Sequence, residues 1–334
     1  MPFITTDDFK DLYIKLAQRG SSFVWTKLSL NNKKRTLSAF NNSSAHHANW
    51  WIIPAVKQRW NFLISGHKNR EYKDFIIQEY FANKHSLRLL SIGSGYCQHE
   101  MALARYPQFA EITCLDIAEN RLQEAAREAQ EQQLTNMRFH TADFYNFTPQ
   151  KEYYDIVYFH QALHHVKKVE QWLLQKIIPA LKPGGCIVMN EYVGSSRLQY
   201  PREQVKAINE ALRLIPKPYR QIFKTSRYKN YYAGSGSWRM YLADPSESVD
   251  SAAIIPALHR HLEPVMEKTY GGNLLMGALK DIAHHFTDLN PEKEAVLQQL
   301  FAAEDHYLKE HTGDFKVGIY RKVDGKRTLA STTP

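Results

Sequence analysis

From residue 88 the chain alternates short apolar runs with helical stretches, and few patterns restrict a fold more, because parallel strands joined by helical crossovers must pack as a sheet covered on both faces. The runs are Arg88 to Gly93 (RLLSIG), Glu111 to Asp116 (EITCLD), Met137 to Thr141, Asp155 to Phe159 (DIVYF) and Cys186 to Asn190 (CIVMN). The last follows a turn at Lys182-Pro183-Gly184-Gly185. Helices are expected at Gln98 to Arg105 and after Asp116, where Leu122, Ala125, Ala126 and Ala129 share a face. Five such steps make one Rossmann-like, doubly wound sheet.

The flanks read differently. Residues 1–85 are expected to be a helical extension or cap, with Tyr72, Phe75, Ile76 and Tyr80 at helical spacing and a polar linker at 41–49 (NNSSAHHAN). The core of alternating strands and helices is expected to span 86–192. Residues 193–261 are expected as an acceptor-binding lid: a helix near Arg202 to Leu214, then Tyr228, Tyr231, Tyr232, Trp238 and Tyr241 around Gly234-Ser235-Gly236. Residues 262–325 should complete a mostly parallel, seven-stranded sheet, with a strand at 262–270, helices near 273–286 and 292–310, and an edge strand Phe315 to Tyr320. Residues 326–334 read as a disordered tail.

Composition narrows the class. Hydrophobic residues make up 43% of the 334, enough for a sizeable core. No run is long and apolar enough to span a membrane, and the N-terminus lacks a secretory layout, so a cytoplasmic protein is expected. Cys97, Cys114 and Cys186 are scattered in apolar surroundings and read as reduced core thiols. The net charge of +9 is dispersed over short clusters, which reads as a solvated surface and makes a nucleic-acid partner the second choice. His46 and His47 lack a third ligand at fitting spacing, so no metal site is expected.

The chemistry gathers at LLSIGSGYCQHE. Gly93 and Gly95 occupy the turn between strand and helix, where a side chain would block a ligand from the backbone. Asp116 ends the next strand, 21 residues beyond Gly95, placed to accept from both ribose hydroxyls. Dinucleotide-binding proteins share this logic, but Gln98 stands where their third glycine would be. Asp143 in TADF follows the third strand, positioned for an exocyclic adenine amine, with Phe144 beside it for the ring.

With LKPGG before the fifth strand and YDIVYFHQALHHV at the fourth, residues 86–192 resemble a class I S-adenosylmethionine (SAM)-dependent methyltransferase. The segments WWIIPAVKQRWN and NEYVG are similar to a bacterial type 11/12-like subgroup. The resemblance implies that Gly93, Ser94 and Gly95 touch the methionine part of SAM, Asp116 the ribose, Asp143 and Phe144 the adenine, and His160 and Gln161 the region of the sulfonium, with Ile117 also among the cofactor-binding residues. Two departures stand out: the family often carries an acid at the position of Ser91 and a small residue or glycine near Cys97. Methyl transfer needs no metal, and the product is S-adenosylhomocysteine (SAH). His164, His165, Glu191 and Tyr192, leaving the fourth and fifth strands, are candidates for base or acceptor-orienting roles. For the histidines the bland alternative is one helix cap and one solvent-facing ring. Trp50, Trp51, Arg59, Trp60 and Asn61 are further candidates to close over SAM.

The implied activity is methylation of an oxygen or nitrogen on a small-molecule or peptide-like acceptor, such as a natural product. The rivals are an RNA or DNA methyltransferase and a non-catalytic scaffold with a SAM fold. Against the first, the fourth strand ends in HQAL rather than N/D-P-P-Y/F; the Ser91 and Cys97 departures leave room for the second.

Overall fold

The structure is a computed structural model that describes residues 49–234, 236 and 246–323. The expectations placed on 1–48, on Ser235, Trp238 and Tyr241, and on the C-terminal tail lie outside the described residues. In chain order the helices are α1 (Pro54–Ser65), α2 (Tyr72–Tyr80), α3 (Gln98–Ala104), α4 (Glu119–Glu131), α5 (Val169–Trp172), α6 (Arg202–Arg213), α7 (Ile254–His261), α8 (Leu275–Leu279) and α9 (Pro291–Tyr307). The strands are β1 (Leu87–Ile92), β2 (Phe109–Asp116), β3 (Met137–Thr141), β4 (Tyr154–His160), β5 (Leu181–Tyr192), β6 (Glu263–Gly271) and β7 (Phe315–Arg321).

They form one seven-stranded sheet in the order β3-β2-β1-β4-β5-β7-β6, with β1 to β5 parallel. This is the Rossmann-like α/β architecture expected. The order reverses at β1, which pairs with both β2 and β4, and a crevice opens beyond the carboxyl ends of strands at such a point. Burial explains the strands' composition: β1 and β4 are mostly apolar and buried at every position but Arg88, Asp155 and His160, whereas in the terminal β3 only Met137 is buried. The KPGG turn loops out of β5, since Leu181 pairs with Tyr154 and Cys186 with Ile156, leaving 182–185 unmatched. All three cysteines are buried and unpaired, as expected.

Two compact units share the chain. One comprises Lys73–Val193, Asp250–Lys268 and 316–323. Its core joins Leu90, Val157, Phe159, Ile187 and Met189 of the central strands to Trp172, Leu258 and Tyr320. The other comprises 49–72, Gly194–Val249 and Thr269–Phe315. There α6 and α8 pack so closely that a Cβ on Gly277 would come within 2.9 Å of Ile208. Asn290 caps α9 by accepting from the Lys293 amide, with Pro291 in the first turn. The helix expected at 273–286 is instead α8 and a short 3-10 turn (Ala283–Phe286), broken at Asp281 with φ +68°. The break is stabilised by Lys229, whose buried ammonium donates to the carbonyls of Gly277, Ala278 and Lys280.

Candidate active site

The turn after β1 explains its glycines one at a time. Gly93 has φ +73°, and a Cβ there would lie 2.6 Å from the Cβ of Ala162, so neither conformation nor space admits a side chain. Gly95 also has positive φ, but only Arg121 at 3.9 Å would face its Cβ, so conformation is the constraint. The Gly93 and Ser94 amides donate to Leu115 O at 2.8 and 3.2 Å. Asp116 fastens the turn: Oδ2 accepts from the Gly95 amide and Oδ1 from Ala118, both at 2.8 Å. Each oxygen keeps a further lone pair. Cys97, the residue before α3, holds φ +54°, a left-handed conformation that explains why a glycine is favoured at such a position.

The second rim segment is tied to the first. Ala142 donates to Asp116 O at 3.0 Å, aligning Asp143 and Phe144 beside the end of β2. Asp143 Oδ1 accepts from the Tyr145 amide, and the Phe144 ring lies 4.5 Å from Tyr145 and 5.7 Å from Trp172. Ile117, between Asp116 and Ala118, is half-buried.

Across the reversal point, Gln161 adopts φ +53° and donates through its amide and Nε2 to Asn190 O. The His160 ring sits 3.7 Å from that of His99. Burial holds both imidazoles neutral, with His99 pushed down to about 3; the neighbouring His99 and Lys73 add to the effect at His160, and Lys73 adds to it at His99. His99 Nδ1 therefore accepts the hydrogen bond from Lys73 Nζ at 3.1 Å.

Glu191 organises the base candidates. Fully buried at the end of β5, its Oε1 accepts from the amides of Ala162 and Leu163 at 2.6 and 2.8 Å, and its Oε2 is 2.7 Å from His164 Nδ1. His164 and His165 are both buried, with ring centroids 4.3 Å apart, so neither is the solvent-facing ring of the bland alternative. Tyr192 is buried beside Glu191.

Three residues escaped the sequence reading: Glu100, Lys73 and His99. Glu100 is buried in the first turn of α3, where Ser91 Oγ donates to its Oε1 at 2.6 Å while Oε2 has no hydrogen-bond partner among the described residues. Burial pushes its carboxyl up to about 7, against the opposing pull of Ser91 and Lys73. The one available signal was the missing acid at position 91. Within the second unit, Trp50 meets Trp60 edge-on at 4.7 Å and Phe315 at 5.4 Å, Arg59 pairs with Asp305, Asn61 donates to Lys68 O, and Trp51 is exposed.

The sheet order and the carboxylate-fastened glycine turn define a Rossmann-like α/β domain. Residues 83–242 match a family model described as a methyltransferase domain. A SAM-dependent methyltransferase from Mesorhizobium loti is 14% identical, with TM-score 0.44 over 75% of this chain and 97% of that one. A phosphoethanolamine N-methyltransferase 2 from Haemonchus contortus, in complex with S-adenosyl-L-methionine, is 12% identical, with TM-score 0.47 over 80% of this chain and 56% of that one. No curated protein matches the chain. Among the described residues no helix is long and apolar enough to cross a membrane.

Proposed function

We propose that this protein is a cytoplasmic enzyme that moves a methyl group from SAM to an oxygen or nitrogen of a small-molecule or peptide-like acceptor, of natural-product or similar kind, leaving SAH. The observation that carries the reading is the glycine turn locked to Asp116: a backbone surface stripped of side chains, beside a carboxylate with lone pairs to spare, at the sheet's reversal point. The residues suit the cofactor. Gly93, Ser94 and Gly95 offer their backbone to the methionyl end, Asp116 and Ile117 flank the ribose, Asp143 and Phe144 the adenine, and His160 and Gln161 border the sulfonium. Bound SAM supplies an electrophilic methyl group, and no metal is needed for its transfer.

The chain's own contribution is positioning and proton removal. Holding an acceptor in near-attack geometry supplies on the order of 7 kcal/mol. Glu191 Oε2, 2.7 Å from His164 Nδ1, fixes the orientation of the imidazole that takes a proton from the acceptor. Glu191 is thus a positioning residue and His164 the base; His165 and Tyr192 line the same rim. Segments outside 86–192 carry the choice of acceptor.

Calorimetric titration with SAM and SAH, on the wild type and on Asp116→Ala, tests the cofactor reading. Binding by the wild type, weakened about tenfold or more in the variant, supports it. A wild type that binds neither ligand overturns it.

A further inference from the structure

The surplus of positive charge is dispersed along most of the chain, but one stretch gathers it. Between Glu210 and Asp244 the sequence contains no acidic residue, while Arg213, Lys217, Arg220, Lys224, Arg227 and Lys229 follow one another closely, interleaved with Tyr219, Phe223, Tyr228 and Tyr231. The fold of the second unit turns most of this charge outward. Ile215, Ile222 and Lys229 are buried and pin the segment, with the Lys229 ammonium committed to backbone carbonyls. Between these anchors a 3-10 turn (Lys217–Arg220) leads into a narrow hairpin. There Gln221 bridges Tyr228 in antiparallel fashion, and the amides of Ile222 and Lys229 donate to Arg227 O and Arg220 O, both at 2.8 Å. Arg213, Lys217, Lys224 and Arg227 are exposed, and Arg220 is half-buried.

Charged faces elsewhere on the molecule mix signs: Lys182 pairs with Asp155, Lys206 with Glu210 and Lys316 with Glu267. Arg213, Lys217, Arg220 and Lys224 pair with no carboxylate among the described residues. The supporting segments bring little negative charge to them: Glu292 accepts from the Tyr219 hydroxyl at 2.6 Å, and Asp281 meets the Phe223 amide through its backbone carbonyl. Like charges gathered in this way repel one another, a cost that a bound polyanion removes. The rings decide which polyanion. Tyr228 and Tyr231 are 40% and 51% exposed, so packing does not account for them, and Lys217 Nζ and Lys224 Nζ stand 5.6 and 5.4 Å from the ring centres of Tyr228 and Phe223. An acidic peptide or a lipid headgroup layer offers charge without flat faces, and a duplex keeps its base faces covered. A single strand offers a phosphate and an open base face at every nucleotide.

We propose that residues 213–231 form a docking surface for single-stranded nucleic acid, with Lys217, Arg220, Lys224 and Arg227 along the phosphates and Tyr228 and Tyr231 as stacking platforms. The surface lies wholly within the second unit and needs neither cofactor nor methyl acceptor, so it stands or falls apart from the methyl-transfer reading.

The test is fluorescence anisotropy of the full chain with labelled oligouridine and oligothymidine of about 15 nucleotides, over a series of salt concentrations. Four cations on phosphates predict that the logarithm of affinity falls with the logarithm of salt at a slope of about −3, each contributing about −0.7 on a single strand. Lys217→Gln/Lys224→Gln should halve that slope to about −1.4. Tyr228→Ser should weaken binding about fivefold or more at an unchanged slope, because a stacked base is lost but no charge. Lys206→Gln, which removes an exposed lysine already paired with Glu210, should leave both quantities at the wild-type values. All these positions are exposed, so urea midpoints are expected to stay with the wild type. Equal affinity for the two strands supports a surface indifferent to the sugar, and a preference for oligouridine supports one that also uses the 2′-hydroxyl. A wild type that binds neither strand overturns the proposal. So does a Tyr228→Ser variant that keeps wild-type affinity, or tighter binding to a duplex of the same length or to vesicles rich in anionic lipid, since a surface that reads charge alone has no use for the rings.

Discussion

Replacing Gly93 by Ala brings two separable costs. The residue must hold φ +73°, a left-handed conformation that costs an L residue about 1–2 kcal/mol. The new methyl carbon would also stand 2.6 Å from Ala162 Cβ, against an optimal carbon-to-carbon separation of about 3.5–4.0 Å, and such overpacking costs about 1–3 kcal/mol. Ala162 cannot swing away cheaply, because its amide is bound to Glu191 Oε1 at 2.6 Å. Gly93→Ala should therefore lose about 2–5 kcal/mol of unfolding free energy in urea and weaken SAH binding. A second substitution separates the costs: Ala162→Gly removes the opposing methyl and relieves only the clash. The double-mutant cycle should give a favourable coupling of about 1–3 kcal/mol, the conformational cost remaining. Zero coupling would refute the steric reading of Gly93, and a single-variant loss below about 0.5 kcal/mol would refute both.

Glu191→Ala leaves the buried amides of Ala162 and Leu163 without their acceptor and His164 without its anchor; at about 1–3 kcal/mol per stranded donor, a loss of about 3 kcal/mol or more is expected by urea unfolding. A loss under about 1 kcal/mol would mean that another group holds the segment after β4. Glu100 gives a pH signature in the ligand-free protein. Its folded pKa, raised from 4.5 to about 7, lies above the unfolded value, so its contribution is intact below pH 4.5 and is lost as pH rises through about 7. Glu100→Gln, which has no charge to bury, should match the wild type most nearly at acid pH and surpass it at pH 8 by an additional amount on the order of 3 kcal/mol, read from urea midpoints at the two pH values. A stability difference that does not change with pH would show that Glu100 titrates as an ordinary carboxyl.

The parts of the fold legible in the sequence were those whose cause is local. β1, β4 and β5 are apolar runs because both faces of the sheet are covered, and Gly93 and Gly95 mark a turn needing positive φ, so each announces itself within a few residues. Where the cause is distant, the pattern misleads. The 273–286 stretch reads as one helix, yet Lys229 caps it midway. His164 and His165 read as base candidates, with one cap and one solvated ring as the alternative; both are buried, and Glu191, in the next strand, makes a buried imidazole tolerable at 164. The ring partners of Trp50 and Trp60, Phe315 and Tyr270, come from the far end of the chain, where no local pattern points to them.

Glu100 joins the two cases. A charged residue in a helix's first turn ordinarily signals a solvated partner for the helix dipole, so nothing local predicts its burial. Its partner is the serine nine residues earlier on β1, whose Oγ donates to Glu100 Oε1 at 2.6 Å, a contact that only the packing of α3 against the sheet brings about.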